Sequence, residues 1–290
     1  MKKFSNFIKA QHGSASMRLQ RSLASPSMIE QLADADHLLE RPDCEIIKDQ
    51  RKIKVGRVLL QWNAEKMVVY IKRYNAFSLR YRLQSLLARS GAAKSLRGAA
   101  ILREAEIPTG TPIAAVEVRR WGMLDKSFYL SEEIAAAKTA NAYWCENLKS
   151  IPGAEGFRMR RRFLTELSRL FRRLHQQRIY HNDLKDFNIL VRRDQADREK
   201  LFLLDLEGVR RCCYLPRHRR VKNLVQLNRT LGQFLSRAER LGFLRSYLQD
   251  AVEPQAEWVK RILRASEKAD RRSSAKNLGR VMRHVSNTSE

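Results

Sequence analysis

Residues 180–190 read Tyr180-His181-Asn182-Asp183-Leu184-Lys185-Asp186-Phe187-Asn188-Ile189-Leu190. Four residues separate Asp183 from Asn188, and apolar residues follow directly. A short apolar run at 201–204 predicts a strand that ends in a second carboxylate, Asp205. A carboxylate can accept a proton, and carboxylate and amide oxygens suit a hard divalent cation. These fixed offsets indicate one chemical site at the ends of neighbouring elements.

This spacing matches the catalytic loop of the protein-kinase-like superfamily, where the Asp accepts the proton of an attacking hydroxyl and the Asn binds magnesium. Asp205 stands where the superfamily places the metal-binding Asp of its Asp-Phe-Gly motif, although Leu206-Glu207 replaces Phe-Gly. Upstream, residues 69–72 read Val-Tyr-Ile-Lys and fit the strand whose lysine, here Lys72, neutralises nucleotide phosphates. The chain order is that of a kinase.

The chain also resembles the lipopolysaccharide kinase family, the bacterial heptose and Kdo kinases of the inner core, from about Ile46 to about Leu248. Besides the catalytic loop, the resemblance rests on the segments Ile47-Lys48-Asp49, Lys72-Arg73-Tyr74-Asn75, Ile107-Pro108-Thr109, Lys222-Asn223-Leu224 and Leu227-Asn228. It implies an α+β, two-lobed protein-kinase-like fold with a small β-rich N-lobe and a larger helical C-lobe. The implied reaction moves the γ-phosphoryl group of ATP to a sugar hydroxyl, with Mg²⁺ as the second cofactor.

The resemblance assigns roles to individual residues. Asp183 is the catalytic base, and Lys185 is expected beside the transferred phosphoryl group. Asn188 and Asp205 are the expected Mg²⁺ ligands, and Lys72 binds the nucleotide. His181 is interpreted as a residue that packs the loop, because Asp183 already fills the role of the base.

Two further groups are expected to contact the nucleotide. Residues 131–134 form a candidate hinge, in which the backbone of Glu132 and Ile134 holds the adenine. The turn between the first predicted strands, residues 47–54, has no glycine, so the usual glycine-rich loop is absent. Lys52 is expected to compensate with its side chain.

Other departures concern the strand lysine and its surroundings. Tyr70 occupies the position where most kinases have an alanine beside the adenine. The helix predicted over about 92–105 usually carries a glutamate that pairs with the lysine, but this position falls near Ser95. Glu104 lies over two turns further on and is interpreted as a solvated helix residue. Asn182 replaces an arginine that responds to activation-segment phosphorylation, so control of that kind is not expected.

Three other functions remain open from the sequence. A protein Ser/Thr kinase is favoured by Lys185. A pseudokinase scaffold in envelope lipopolysaccharide assembly is favoured by the missing glycines and the missing helix glutamate. A nucleic-acid-binding module would explain the charge but not the four catalytic positions, so no nucleic-acid partner is expected.

The composition constrains the partners and the compartment. The 290 residues carry a formal net charge of +26, which indicates an anionic partner such as lipopolysaccharide core, another anionic glycolipid or a membrane surface. The four cysteines form no Cys-x-x-Cys pair, and no apolar run approaches the ~20 residues of a membrane span. We therefore expect a cytoplasmic protein, peripheral on the cytosolic face of the bacterial inner membrane.

The predicted organisation has four parts: a basic and polar arm over 1–40, an N-lobe over 41–133, a C-lobe over 134–269 and a loosely ordered basic tail over 270–290. Phe4, Phe7 and Ile8 are a weak apolar stripe in the arm. Two basic surfaces are candidates for anionic ligands. One is on the helix predicted over 157–177 and contains Arg158, Arg160, Arg161, Arg162, Arg169, Arg172 and Arg173. The other follows Asp205 and contains Arg210, Arg211, Arg217, Arg219, Arg220 and Lys222.

Overall fold

The structure is a computed structural model that describes residues 5–62, 65–76, 78–196, 198–249 and 254–287, without the side chains of 79–81, 273 and 275–287. Phe4 and Phe77 therefore lie outside the description. The strands are β1 Phe7–His12, β2 Ala15–Gln20, β3 Glu45–Gln50, β4 Ile53–Trp62, β5 Glu65–Asn75, β6 Pro112–Arg120, β7 Met123–Glu132, β8 Lys138–Thr139, β9 Ile179–His181, β10 Ile189–Arg193, β11 Glu199–Leu203 and β12 Val209–Arg211. The helices are α1 Pro26–Ala33, α2 Ala35–Glu40, α3 Leu79–Gln84, α4 Gly91–Glu104, α5 Ala140–Asn147, α6 Gly153–Gln176, α7 Arg217–Arg229, α8 Arg237–Tyr247 and α9 Gln255–Asn287.

The chain divides into two compact units. The first contains residues 1–138 and 188–211, and the second contains 139–187 and 212–290. The first unit thus includes a returning segment, which the predicted boundary near residue 133 did not foresee. The segment belongs there because β11 bonds to the loop before β6: the Leu203 amide donates to the Pro108 carbonyl at 2.9 Å, and the Thr109 hydroxyl donates to the Leu203 carbonyl at 2.6 Å.

An antiparallel sheet dominates the described part of the first unit, with seven strands in the order β1-β2-β6-β7-β5-β4-β3. The alternation of apolar residues in the sequence predicts strands at 45–47, 54–60, 67–71, 113–118 and 128–130, and all five are confirmed as parts of β3 to β7. Between β3 and β4 the chain turns at Arg51-Lys52. Asn75 secures this turn, because its backbone amide donates to the Lys52 carbonyl and its side-chain amide to the Arg51 carbonyl, both at 3.0 Å.

The N-terminal region differs from the predicted arm. Residues 7–20 form β1 and β2, which extend the sheet beyond β6, and α1 and α2 cover one of its faces. Met17, Leu19 and Leu32 are buried in the hydrophobic core. The physical reason is the alternation Ala15, Met17, Leu19, which lets one face of a short strand join a core already bounded by β6. Residues 1–4 lie outside the description.

Helix α4 begins where the sequence predicted. The hydroxyl of Ser90 accepts a hydrogen bond from the Ala93 amide at 3.0 Å and so caps the first turn, and the helix ends at Glu104, before Pro108. Gly98 lies against the turn that follows Asp205, where a β-carbon would come within 2.3 Å of the Leu206 carbonyl oxygen. Glycine therefore lets α4 approach the turn that carries the predicted metal ligand.

The second unit is helical, as predicted. The apolar stripe of α6 is buried and contains Phe163, Leu167, Leu170, Phe171 and Leu174. The tail differs from the prediction, since residues 270–287 continue α9; residues 288–290 lie outside the description. Trp258 of this helix is buried against Tyr247, which explains why the first half of α9 is fixed.

Candidate active site

Lys72 is close to Asp205 in the first unit. The ammonium group of Lys72 lies 2.5 Å from Oδ1 of Asp205, and it is 5.1 Å from the ring centroid of Tyr74. Both side chains of the ion pair are partly exposed. The strand lysine and the carboxylate after β11 thus meet, as the kinase interpretation requires.

The helix position opposite this lysine carries no acid. Ser95 is buried, and its hydroxyl lies 2.8 Å from the hydroxyl of Tyr74. Glu104 is not simply solvated, because one of its carboxylate oxygens accepts a hydrogen bond from Arg211 at 3.0 Å. Lys72 therefore forms its ion pair with Asp205 and not with a glutamate of α4.

The β10–β11 hairpin places Asn188 beside the Asp205 segment. Ile189 at the start of β10 pairs with Leu203 at the end of β11, and the Leu204 amide donates to the Asn188 carbonyl at 2.9 Å. Asp205 has φ 56° and ψ 58°, a left-handed conformation that is uncommon for residues other than glycine. Non-glycine residues in this region are frequent at functional sites.

The donor set of this hairpin suits magnesium. Mg²⁺ prefers oxygen ligands and is commonly held by one or two protein groups, together with water and substrate phosphates. The amide of Asn188 and the carboxylate of Asp205 are such groups. Within the described residues no cluster of three or more His, Cys, Asp and Glu side chains could hold a metal.

The candidate hinge residues have different backbone roles. The amide of Glu132 donates to the Thr111 carbonyl at 2.9 Å within the sheet, so its amide is already engaged. The carboxylate of Glu133 forms two hydrogen bonds with Arg57, at 2.7 and 3.1 Å. Beside this pair, burial raises the pKa of Tyr70. Ile134 follows outside β7, and Lys52 is exposed at its turn.

In the second unit, the catalytic loop is held by buried polar groups. His181 is fully buried, and its Nδ1 accepts a hydrogen bond from the Asp183 amide at 3.2 Å, so it packs the loop as predicted. The carboxylate of Asp183 lies 2.9 Å from the ammonium group of Lys185. The two predicted catalytic side chains are therefore neighbours.

Two residues of α7 complete this loop and were not assigned roles from the sequence. Asn223 is fully buried and donates to the His181 carbonyl at 2.6 Å. Gln226 accepts from the Leu184 amide at 3.1 Å, donates to the Asn182 carbonyl at 2.8 Å, and lies 3.5 Å from Oδ1 of Asp183. The available signal was a pair of amide side chains three residues apart in an amphipathic helix, which places both on one face.

Asp186, which follows Lys185 in the loop, carries a buried carboxyl group. Asp186 is almost fully buried, and burial raises its pKa. One of its oxygens accepts a hydrogen bond from the Phe187 amide at 2.9 Å. Asp186 therefore stabilises the chain just before Asn188.

Both predicted basic surfaces include residues with structural roles. Arg160 donates to Glu239 at 3.0 Å and to the Ile151 carbonyl at 2.9 Å, so it joins α6 to its neighbours. Arg220 donates to the Tyr247 hydroxyl at 2.8 Å and lies 4.8 Å from the ring centroid of Trp258. The prediction of two uniform anion-binding surfaces therefore needs correction at these positions. Arg158 and Arg161 are exposed on α6.

Among the described helices, none has the length and apolar content needed to cross a bilayer.

Comparison with known proteins identifies the family. The model of the lipopolysaccharide kinase (Kdo/WaaP) family matches residues 49–247. The chain belongs to this family.

A solved structure titled "WaaP in complex with acyl carrier protein" has a similar fold, with a TM-score of 0.61, 20% sequence identity, and coverage of 85% of this chain and 97% of that one. A search of curated proteins found no match. The two-lobed kinase-like fold predicted from the sequence is confirmed, and family membership supports phosphotransfer as the class of reaction.

Proposed function

We propose that the protein transfers the γ-phosphoryl group of ATP to a sugar hydroxyl of the lipopolysaccharide inner core. The observation that carries this proposal is the ion pair between Lys72 and Asp205, formed beside Asn188 at the end of the β10–β11 hairpin. A cation and two oxygen ligands in the kinase order are what a nucleotide and its metal require.

The first unit supplies the nucleotide-binding residues in this mechanism. Lys72 binds the nucleotide phosphates, which replace part of its contact with Asp205. Asn188 and Asp205 hold Mg²⁺, which when bound neutralises the negative charge of the phosphates. The adenine lies against the backbone at Glu132 and Ile134, although the amide of Glu132 already donates to the Thr111 carbonyl. Lys52 reaches the phosphates from the glycine-free turn.

The second unit supplies the residues that act on the acceptor. Asp183 orients the acceptor hydroxyl and accepts its proton late in the reaction, because the loose transition state mainly requires positioning and charge stabilisation. Lys185 lies next to that carboxylate and stabilises the phosphoryl group during transfer.

Family membership and the net charge both support this acceptor class. A net charge of +26 favours a phosphorylated glycolipid on an anionic membrane, so we place the protein peripherally at the cytosolic face of the inner membrane.

The test uses the purified protein, labelled ATP and magnesium with two acceptors in parallel, dephosphorylated core lipopolysaccharide and a generic protein substrate. We expect label on the glycolipid and none after Asp183→Ala. Label on the protein substrate alone would favour a protein Ser/Thr kinase. Label on neither, together with weak ATP binding, would favour a pseudokinase scaffold.

A further inference from the structure

The end of α3 and the turn that follows it reverse the usual placement of polar and apolar residues. Ser85 is only 5% exposed, whereas Leu83, Leu86 and Leu87 are 53%, 55% and 99% exposed. A surface turn normally buries its leucines and exposes its serine. Clustered exposed leucines of this kind mark a surface that contacts another apolar phase.

Hydrogen bonds hold these leucines outward. The Ser85 hydroxyl donates to the Arg82 carbonyl at 2.5 Å and accepts from the Leu124 amide at 3.0 Å, which fixes the turn to β7. The Leu86 amide donates to the Leu83 carbonyl and the Leu87 amide to the Gln84 carbonyl, both at 3.2 Å. The exposure is therefore a property of an ordered turn.

An exposed tryptophan lies on an adjacent turn. Trp121, between β6 and β7, is 93% exposed. Asp125 joins the two turns, because its carboxylate accepts from Arg82 at 2.8 Å and lies 3.8 Å from Arg120. Leucine and tryptophan side chains at one edge of the first unit are typical of a membrane interface.

A basic cleft borders this edge. It has a volume of about 860 Å³ and is lined by Leu86, Leu87, strands β1, β2 and β6, and the start of α4. Its basic side chains are Lys9, Arg18, Arg89, Arg97 and Arg119. The cleft also contains Glu117, whose carboxylate already accepts two hydrogen bonds from Arg119, at 3.3 and 3.0 Å.

Two of the positively charged side chains in the cleft lie opposite each other on neighbouring strands. Lys9 and Arg18 are directly opposite in the β1–β2 pair, and like charges at such positions destabilise a sheet. An anion in the cleft would be attracted by both side chains. The apolar margin requires that the anion belong to an amphiphile.

We infer that this edge, formed by Leu83, Leu86, Leu87 and Trp121 with the adjoining cleft, docks on a membrane containing anionic phospholipid. The leucines and the tryptophan enter the boundary between headgroups and acyl chains, and the cleft binds lipid phosphates. This inference deepens the proposed peripheral location by naming the surface, and it replaces the arginine face of α6 in that role. A membrane fits better than a nucleic acid because the exposed leucines offer nothing to phosphodiesters or bases.

Intrinsic fluorescence tests insertion directly. Of the four tryptophans, Trp144 and Trp258 are buried and Trp62 is partly buried against the core, so Trp121 is the most accessible to lipid. Vesicles of phosphatidylglycerol and brominated phosphatidylcholine should quench the full chain at low salt. The change Trp121→Phe, which keeps an aromatic group, should remove this quenching while vesicle sedimentation stays near the wild-type level.

Double substitutions test whether membrane binding occurs at this edge. Leu86→Ser with Leu87→Ser, and separately Arg89→Glu with Arg97→Glu, should each weaken sedimentation with these vesicles at least tenfold. The matched control is Arg158→Glu with Arg161→Glu, which makes the same change in charge on α6 and should have a much smaller effect. All three pairs of substituted side chains are exposed, and circular dichroism checks folding.

Two results would overturn the inference. One is equal loss of binding in the α6 control and the edge variants, and the other is wild-type binding after the leucine changes. Self-association that disappears in the leucine variant, without any vesicle binding, would assign the edge to a second copy of the chain. Phosphoryl transfer to a detergent-dispersed acceptor separates this test from the proposed function, since the edge variants should retain it.

Discussion

The residues proposed to bind the nucleotide in the first unit and the proposed catalytic loop in the second are stabilised by different forces. Lys72 and Asp205 attract each other by charge while both remain partly in solvent. The backbone around Asp183 is held by neutral hydrogen bonds from Asn223 and Gln226. A partly exposed ion pair contributes little to stability and rearranges easily, whereas a buried polar group is costly to leave unsatisfied. The first arrangement suits residues that must exchange partners when a ligand binds, and the second suits a base that must stay in place.

The largest expected effect comes from removing the carboxylates themselves. Asp183→Asn and Asp205→Asn should each lower phosphoryl transfer by about 10³-fold or more, because each removes charge or proton acceptance needed in the transition state. The two variants should differ in binding. Calorimetry with Mg-ATP should show near-normal affinity for Asp183→Asn and clearly weaker affinity for Asp205→Asn. Equal affinity in both would contradict the division of roles between the two units.

The ion pair provides the next test. Lys72→Met should weaken Mg-ATP binding by roughly tenfold to a hundredfold, the value of one or two hydrogen bonds to a charged group. The free energy of unfolding should change by less than about 1 kcal/mol, since the pair is partly exposed. Lys52→Met is the comparison and should weaken binding less, because Lys52 reaches the phosphates from an exposed turn. If Lys52→Met weakens binding and Lys72→Met does not, the glycine-free turn holds the phosphates instead.

The uncharged hydrogen bonds from Asn223 and Gln226 to the Asp183 loop should show the opposite pattern, with an effect on stability and little effect on ATP binding. Gln226→Leu leaves the Leu184 amide and the Asn182 carbonyl without this partner, so it should destabilise the protein by about 1–3 kcal/mol in urea unfolding. It should also lower kcat while leaving the KM for ATP nearly unchanged. Gln233→Leu, the same change at an exposed position, is the matched control and should alter neither quantity. A larger effect on the KM than on kcat would show that Gln226 does not serve the loop.

The sequence predicted those features of the fold and the site that depend on residues close together in the chain. The offsets around Asp183, Asn188 and Asp205 located the loop, the hairpin and the residues expected to act, and hydrophobic alternation located β3 to β7. The N-terminal strands were missed because the alternation at 15–19 is only five residues long. Its burial depends on pairing with β6, about a hundred residues away. Gln226 was missed for a similar reason, since its partners lie some 40 residues earlier.

The smallest expected effect is the pH dependence of stability that comes from His175, which contacts Asn223 in the network of hydrogen bonds below the Asp183 loop. His175 lies in the core, where its ring nitrogens contact the Tyr247 hydroxyl at 2.8 Å and Asn223 at 3.2 Å, and burial lowers its pKa to about 4. The unfolded chain has the ordinary histidine pKa of about 6.5, so it binds the proton first as the pH falls. Stability is therefore complete above about pH 6.5 and is lost progressively down to about pH 4, with a decrease of about 1 kcal/mol already at pH 6. Urea unfolding between pH 7.5 and 5 should show this slope, and His175→Gln should flatten it because the amide cannot titrate. Mg-ATP affinity at each pH should be the same in that variant as in the wild type, and a change in both affinity and stability would mean that the two regions are not held independently.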